Sequence, residues 1–167
     1  MKKLLIVVDM QKDFVDGALA NPNAQAIVPA VTEFVKNWKD DILFTRDTHT
    51  EAYMDTLEGR KLPVVHCVKG TPGWEIIDEL KPYVKDVIDK PVFGSWELGE
   101  RIRKGGYDEV TLIGVCTGIC VISNASIVRA ASPETNVRVM KDLCACITPE
   151  THRTALDAMK TFQVDVL

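Results

Sequence analysis

Side chains able to do acid–base, nucleophilic or metal chemistry recur in this chain just after short apolar runs. Asp9 follows Leu4–Val8, and Asp47 and His49 follow Ile42–Thr45. His66 follows Val64–Val65, Lys90 comes two residues after Val87–Ile88, and Cys116 and Cys120 follow Val110–Val115. The segment Gly114 to Val121 reads as a strand, a tight turn and the start of a helix. A thiol at Cys120 would meet the positive end of the helix dipole and free backbone N–H groups, which lower its pKa from about 8.5. A cation such as Lys90 would lower it further, and the same N–H groups suit an oxyanion. A lone cysteine is more often a small buried hydrophobe; the turn context is what favours a nucleophile here.

Asp47-x-His49 is a metal signal, because alternate residues of an extended segment point the same way. With His66 it offers two imidazoles and a carboxylate, a set that suits Zn²⁺, Fe²⁺ or Mn²⁺. Asp-x-His also serves as a turn cap. Asp9 either caps its loop or works as an acid–base group, and Lys90 gains weight only from its place near a strand end. Phe14, Phe93 and Trp96 fall in loops or just past strands near the same rim and could wall a flat substrate. His152 reads as a packed or surface helix residue, and Cys144 and Cys146 as core.

The elements that must position these residues alternate. Leu4–Val8 is a continuous apolar run, as a strand buried on both faces should be. Strands are also expected over Ile42–Thr45, Val110–Val115, Val137–Met140 and Val164–Leu167, with extended pieces at Val64–Val65 and Asp86–Ile88. Helical spacing covers Ala26–Trp38, Trp96–Lys104 (stopped by Gly105-Gly106), Thr117–Ala131 and Pro149–Phe162, with a brief helix over Trp74–Leu80. Asp9 to Asn23 and the polar stretch Arg46 to Lys61 read as connections. Strands separated by helices imply an α/β fold, three-layer α/β/α around a mainly parallel, Rossmann-like sheet. Ligands of such sheets bind beyond the carboxyl ends of the strands, where the reactive residues lie.

At 167 residues the chain is expected to be one domain, 1–167, with a core that needs no staples. A net charge of −4 without a basic run argues against nucleic acid and anionic membranes as partners. No window reaches the roughly 18 apolar residues of a membrane span, and Met1–Val8 reads as a first strand rather than a signal peptide. Five cysteines, an odd number, suggest reduced thiols and a cytoplasmic home.

Five segments, in order and spanning residues 4–150, resemble the isochorismatase-like cysteine hydrolases, and within them the nicotinamidase branch. They are Val7–Phe14 with Gly17-Ala18-Leu19, Thr45–His49, His66–Gly73, Asp89–Phe93 and Gly114–Val121. The resemblance implies an isochorismatase-like hydrolase fold and a catalytic triad of Asp9, Lys90 and Cys120 working through a thioester. It implies a cis peptide between Val115 and Cys116, with the N–H groups of Cys116 and Cys120 binding the oxyanion. It also implies a divalent metal, zinc foremost with iron or manganese as alternatives, held by Asp47, His49 and His66, with Glu58 in the position of an additional acidic ligand. The implied reaction is nicotinamide plus water to nicotinate plus ammonia, and the implied partners are a small-molecule amide substrate and further copies of the chain in a homo-oligomer. Another small amide, a carbamoyl compound or a ureido acid is the alternative substrate class, and a non-enzymatic binding module or thiol-based sensor the alternative function. The chain departs from the family in having Leu62–Val65, without an aromatic, before His66, and Cys116 where a small alanine is usual.

Overall fold

The structure, a computed structural model, describes residues Met1–Leu167. Six parallel strands form one sheet: β1 Lys3–Val8, β2 Asp41–Asp47, β3 Val87–Lys90, β4 Glu109–Val115, β5 Asn136–Ala145 and β6 Asp165–Val166. Their order across the sheet is β3-β2-β1-β4-β5-β6. Between them run α1 Lys12–Val15, α2 Pro22–Asn37, α3 Leu57–Lys61, α4 Trp96–Gly105, α5 Ile122–Ala131 and α6 Pro149–Thr161. No helix is long and apolar enough to cross a membrane.

Alternation along β1 sorts the core into two layers. Leu4, Ile6 and Val8 face Leu98, Ile102, Ala125, Val128 and Met159 of α4, α5 and α6. Leu5 and Val7 face Val31 and Val35 of α2 together with Ile76, Ile77 and Leu80. Both faces are thus dry, which is why β1 is apolar without interruption. The chain order reverses direction between β1 and β4, so a crevice opens at their carboxyl ends, the usual place for a ligand in such sheets. Gly114 allows the close approach there: its φ is +114°, and a Cβ would overlap the Val8 carbonyl.

The fold corrects several expectations. Trp74–Leu80 is not helical: a 3₁₀ turn spans Pro72–Trp74, Ile76 bridges to Gln11, and the Ile77 N–H donates to the Met10 carbonyl (3.0 Å). Pairing with the β1 loop satisfies the backbone that a helix would have satisfied internally. The connections contain α1 and α3, and β5 extends past Met140 to include Cys144. Thr117–Val121 is a wider, π-type turn, with the Val121 N–H donating to the Cys116 carbonyl five residues back (3.1 Å); the regular helix starts at Ile122. The cysteines are not all reduced thiols. Cys116 and Cys146 form a disulfide, and Cys67, Cys120 and Cys144 are free and buried. The expectation failed because an odd count leaves room for a pair, and the folded β4–α5 and β5–α6 turns bring these two together; the argument from reduced thiols to compartment no longer holds.

Candidate active site

The strand ends gather three groups from distant stretches of sequence. Asp9, the residue after β1, is fully buried at a φ of +49°, a conformation rare outside glycine that collects at functional sites. Thr45 of the neighbouring β2 fixes it: its carbonyl and hydroxyl accept from the Asp9 N–H (3.1 and 3.2 Å), and the hydroxyl donates to Asp9 Oδ1 (2.6 Å). Lys90, the last residue of β3 and fully buried, places Nζ 2.6 Å from Asp9 Oδ2, 3.5 Å from Cys120 Sγ and 3.7 Å from Asp47 Oδ1. It also donates to the Val92 carbonyl at 3.2 Å. Cys120 sits in the π-type turn after β4, the Val115–Cys116 peptide is cis, and the Cys116 N–H donates to no protein acceptor.

Burial pushes the Asp9 carboxyl above its usual range, with Lys90 pulling against it and Asp47 adding to the rise. Burial alone would lower the Lys90 ammonium, but Asp9, Cys120 and Asp47 outweigh it and raise the group. The Cys120 thiol is pushed well up, first by burial and then by the Asp9 charge, against the pull of Lys90. This reverses the expectation from the helix dipole and lysine alone, because desolvation and a neighbouring carboxylate were not visible in sequence.

A second cluster adjoins the first. Asp47, His49, Glu58 and His66 each offer a ligand atom, all within 4.8 Å of one another. The His66 Nδ1–H donates to the Val64 carbonyl (2.7 Å), which turns Nε2 toward Asp47 Oδ2 at 3.4 Å, as a donor when the ring is protonated and as a free ligand atom when it is neutral. His49 Nε2 lies 2.9 Å from Asp47 Oδ2 and 3.6 Å from Glu58 Oε1. Asp47 Oδ1 is buried without a hydrogen-bond partner. Burial lifts Asp47, but hydrogen bonds from His49 and His66 and the Lys90 charge hold it below the usual carboxylate range. Burial and Asp47 raise Glu58. For His66, burial is outweighed by its bonds to Asp47 and Val64, and the imidazole rises. Two imidazoles, two carboxylates and an orphaned buried oxygen fit a divalent cation such as zinc.

A cavity of about 580 Å³ is reached by Cys120 from the first cluster and by Asp47, Glu58 and His66 from the second, with Asp9, Lys90 and His49 behind its lining. Phe14, Leu62, Phe93 and Ile147 wall it, and Asp47, Glu58, His66, Cys116 and Cys120 open onto it. Trp96 does not belong to the wall: as the first residue of α4 it projects outward and is 86% exposed. A groove of about 690 Å³ at the opposite ends of β1 and β2, between Trp38, Tyr83, Arg101 and Tyr107, holds none of these groups.

Sequence reasoning missed the supporting polar residues. Gln11, fully buried, donates to the Asp47 and Trp74 carbonyls (both 2.8 Å) and accepts from the Asp47 N–H (2.7 Å). Asp13 accepts from the Ala18 and Cys67 N–H groups (3.1 and 2.8 Å). Tyr53 stacks edge-on against His49 and His66 and donates to the Leu62 carbonyl at 2.8 Å. Only position identifies these residues; their types are ordinary for loops.

Known proteins match this chain over nearly its whole length. The isochorismatase domain matches residues 3–167. The isochorismatase family protein PncA of Bacillus subtilis is 32% identical, over 93% of each chain. A nicotinamidase/pyrazinamidase of Mycobacterium tuberculosis is 28% identical over 99% of this chain and 98% of its own. The crystal structure of the pyrazinamidase of Pyrococcus horikoshii in complex with zinc superposes with a TM-score of 0.83 at 31% identity, covering 100% of this chain and 99% of its own. With the same sheet and a match along nearly its full length, the chain belongs to the isochorismatase family.

Proposed function

We propose that the protein is a metal-dependent cysteine amidohydrolase of the nicotinamidase type, converting nicotinamide and water to nicotinate and ammonia. One observation carries the reading: Cys120, joined through Lys90 to Asp9, opens onto the same cavity as Asp47, Glu58 and His66 of the Asp–His–Glu–His cluster. The relatives named nicotinamidase or pyrazinamidase support the substrate class.

As the sulfur of Cys120 attacks the amide carbon, Asp9 takes the thiol proton, and Lys90 stays protonated to hold both charges. Asp9 passes the proton to the departing nitrogen, so the C–N bond breaks as ammonia leaves and a thioester remains. Water then attacks the thioester; Asp9 takes its proton and returns it to the sulfur as the carboxylic acid departs. The free Cys116 N–H serves as an oxyanion donor at each addition. Asp47, His49, His66 and Glu58 would hold the cation, which supplies a Lewis-acidic anchor for a ring nitrogen. Phe14 and Phe93 present apolar surface to the ring.

The test is ammonia release from nicotinamide by purified, zinc-loaded protein, with Cys120→Ala as control. Turnover that vanishes in the variant supports the reading. A zinc-loaded wild-type protein that releases no ammonia overturns it.

A further inference from the structure

Asn124 of α5 is fully buried, and both of its side-chain N–H donors and its oxygen are engaged by two neighbouring segments. Its Nδ2 donates to the Cys120 carbonyl (2.8 Å) and to the Phe93 carbonyl (3.1 Å), and its Oδ1 accepts from the Ser95 N–H (3.1 Å). One bond thus fixes the turn that carries the sulfur, and two fix the connection between β3 and α4. That connection has few other anchors. Lys90 Nζ reaches the Val92 carbonyl, Ser95 caps α4 by accepting from the Leu98 N–H (3.1 Å), and Gly94 lies against Ile127 so closely that a Cβ would collide. Phe93 and Cys120 face the same cavity from these two elements.

We propose that Asn124 is a positioning residue that sets the gap between the Phe93 wall and the Cys120 sulfur, and so places an aromatic amide's carbonyl carbon against the nucleophile. The inference rests on the amidohydrolase reading. An apolar residue at 124 would leave the buried Ser95 N–H without its acceptor and take a donor from each of the Phe93 and Cys120 carbonyls, and the wall would shift to rehydrate them. Leucine or valine would pack the helix equally well, so packing does not account for an amide here. Asn124 touches no substrate; it acts through Phe93 and the Cys120 turn.

Asn124→Ser separates the two halves of the clamp. A helical serine can still donate to the carbonyl four residues back, at Cys120, but it is too short for Phe93 and Ser95. For nicotinamide, KM should rise at least fivefold and kcat fall at least tenfold. Alkylation of Cys120 by iodoacetamide, which needs the sulfur but no ring seat, should stay within threefold of wild type. A folded variant with wild-type KM and kcat overturns the inference, and so does a variant whose alkylation falls in step with turnover. Should the variant not fold, amide hydrogen exchange on the wild-type protein decides. A Ser95 amide protected as strongly as the strand amides supports the clamp, and exchange at the rate of exposed loops overturns it. A wild-type protein inert toward nicotinamide would instead sink the amidohydrolase reading.

Discussion

Asp9→Asn should make Cys120 more reactive toward a simple electrophile while abolishing amide hydrolysis. The Asp9 charge raises the thiol pKa and offsets the attraction of Lys90, whose Nζ lies 3.5 Å from the sulfur. The substitution keeps the shape and removes that charge, whose effect on the sulfur exceeds the opposing pull of Lys90. At an effective dielectric of about 20 the Lys90 pull at that distance is about 5 kcal/mol, or about 3 pKa units, so losing the larger Asp9 effect lowers the thiol by that order. The thiolate fraction at pH 7 then rises about 1,000-fold, but a less basic thiolate is a weaker nucleophile by about half a log unit for each unit of pKa. The net expectation is iodoacetamide alkylation about 30-fold faster at pH 7, measured by mass spectrometry of the Cys120 peptide. Ammonia release should fall by about 10²–10⁴, the usual contribution of a positioned acid–base group. Alkylation that is unchanged or slower would show that the Asp9 charge does not raise the thiol, and hydrolysis within tenfold of wild type would show that Asp9 is not the base.

Thr45→Val removes the hydroxyl donated to Asp9 Oδ1, which helps hold that carboxyl down; the acid limb of kcat/KM should move to higher pH by about one unit. An unmoved limb would separate Asp9 from the titration that controls activity. Stripping bound metal with a chelator should abolish ammonia release, and added zinc should restore turnover. Full turnover in protein shown by elemental analysis to hold no metal would refute the role given to Asp47, His49, Glu58 and His66. Gly114→Ala should cost about 3 kcal/mol, or ~10 °C in Tm, because its φ of +114° and the Val8 carbonyl both exclude a side chain. A loss under 2 °C in a thermal melt would contradict this account of the β1–β4 approach.

The strands were legible wherever burial on both faces forced an unbroken apolar run, as at Leu4–Val8 and Val110–Val115. Trp74–Leu80 misled because Ile76, Ile77 and Leu80 have helical spacing and do face the core, but their backbone pairs with Gln11 and Met10. The spacing of buried residues records which side chains are inside; it does not record which backbone satisfies which. Trp96 misled for the opposite reason: nearness to a strand end in sequence fixes where a residue starts, and its place at the first turn of α4 aims the ring outward. The Cys116–Cys146 pair depends on two turns meeting in space, which spacing alone does not reveal.

The site divides along the same line. Asp9, Asp47, Lys90 and Cys120 were legible as neighbours because a parallel sheet delivers its strand ends to one rim, so order along the chain becomes proximity in space, whereas His66, outside any strand, and Glu58, on α3, reach it through connections. Their protonation was not legible, since desolvation is a property of the closed molecule. Three carboxylates, Asp9, Asp47 and Glu58, stand around the single Lys90 ammonium, with Asp9 and Asp47 within 4 Å of it. Charges so poorly hydrated must be matched. A dication bound between the two histidines and the carboxylates would supply that match. Lys90 is therefore shared between the nucleophile's base and the metal-ligand cluster, and neither half of the site can change its charge without the other responding.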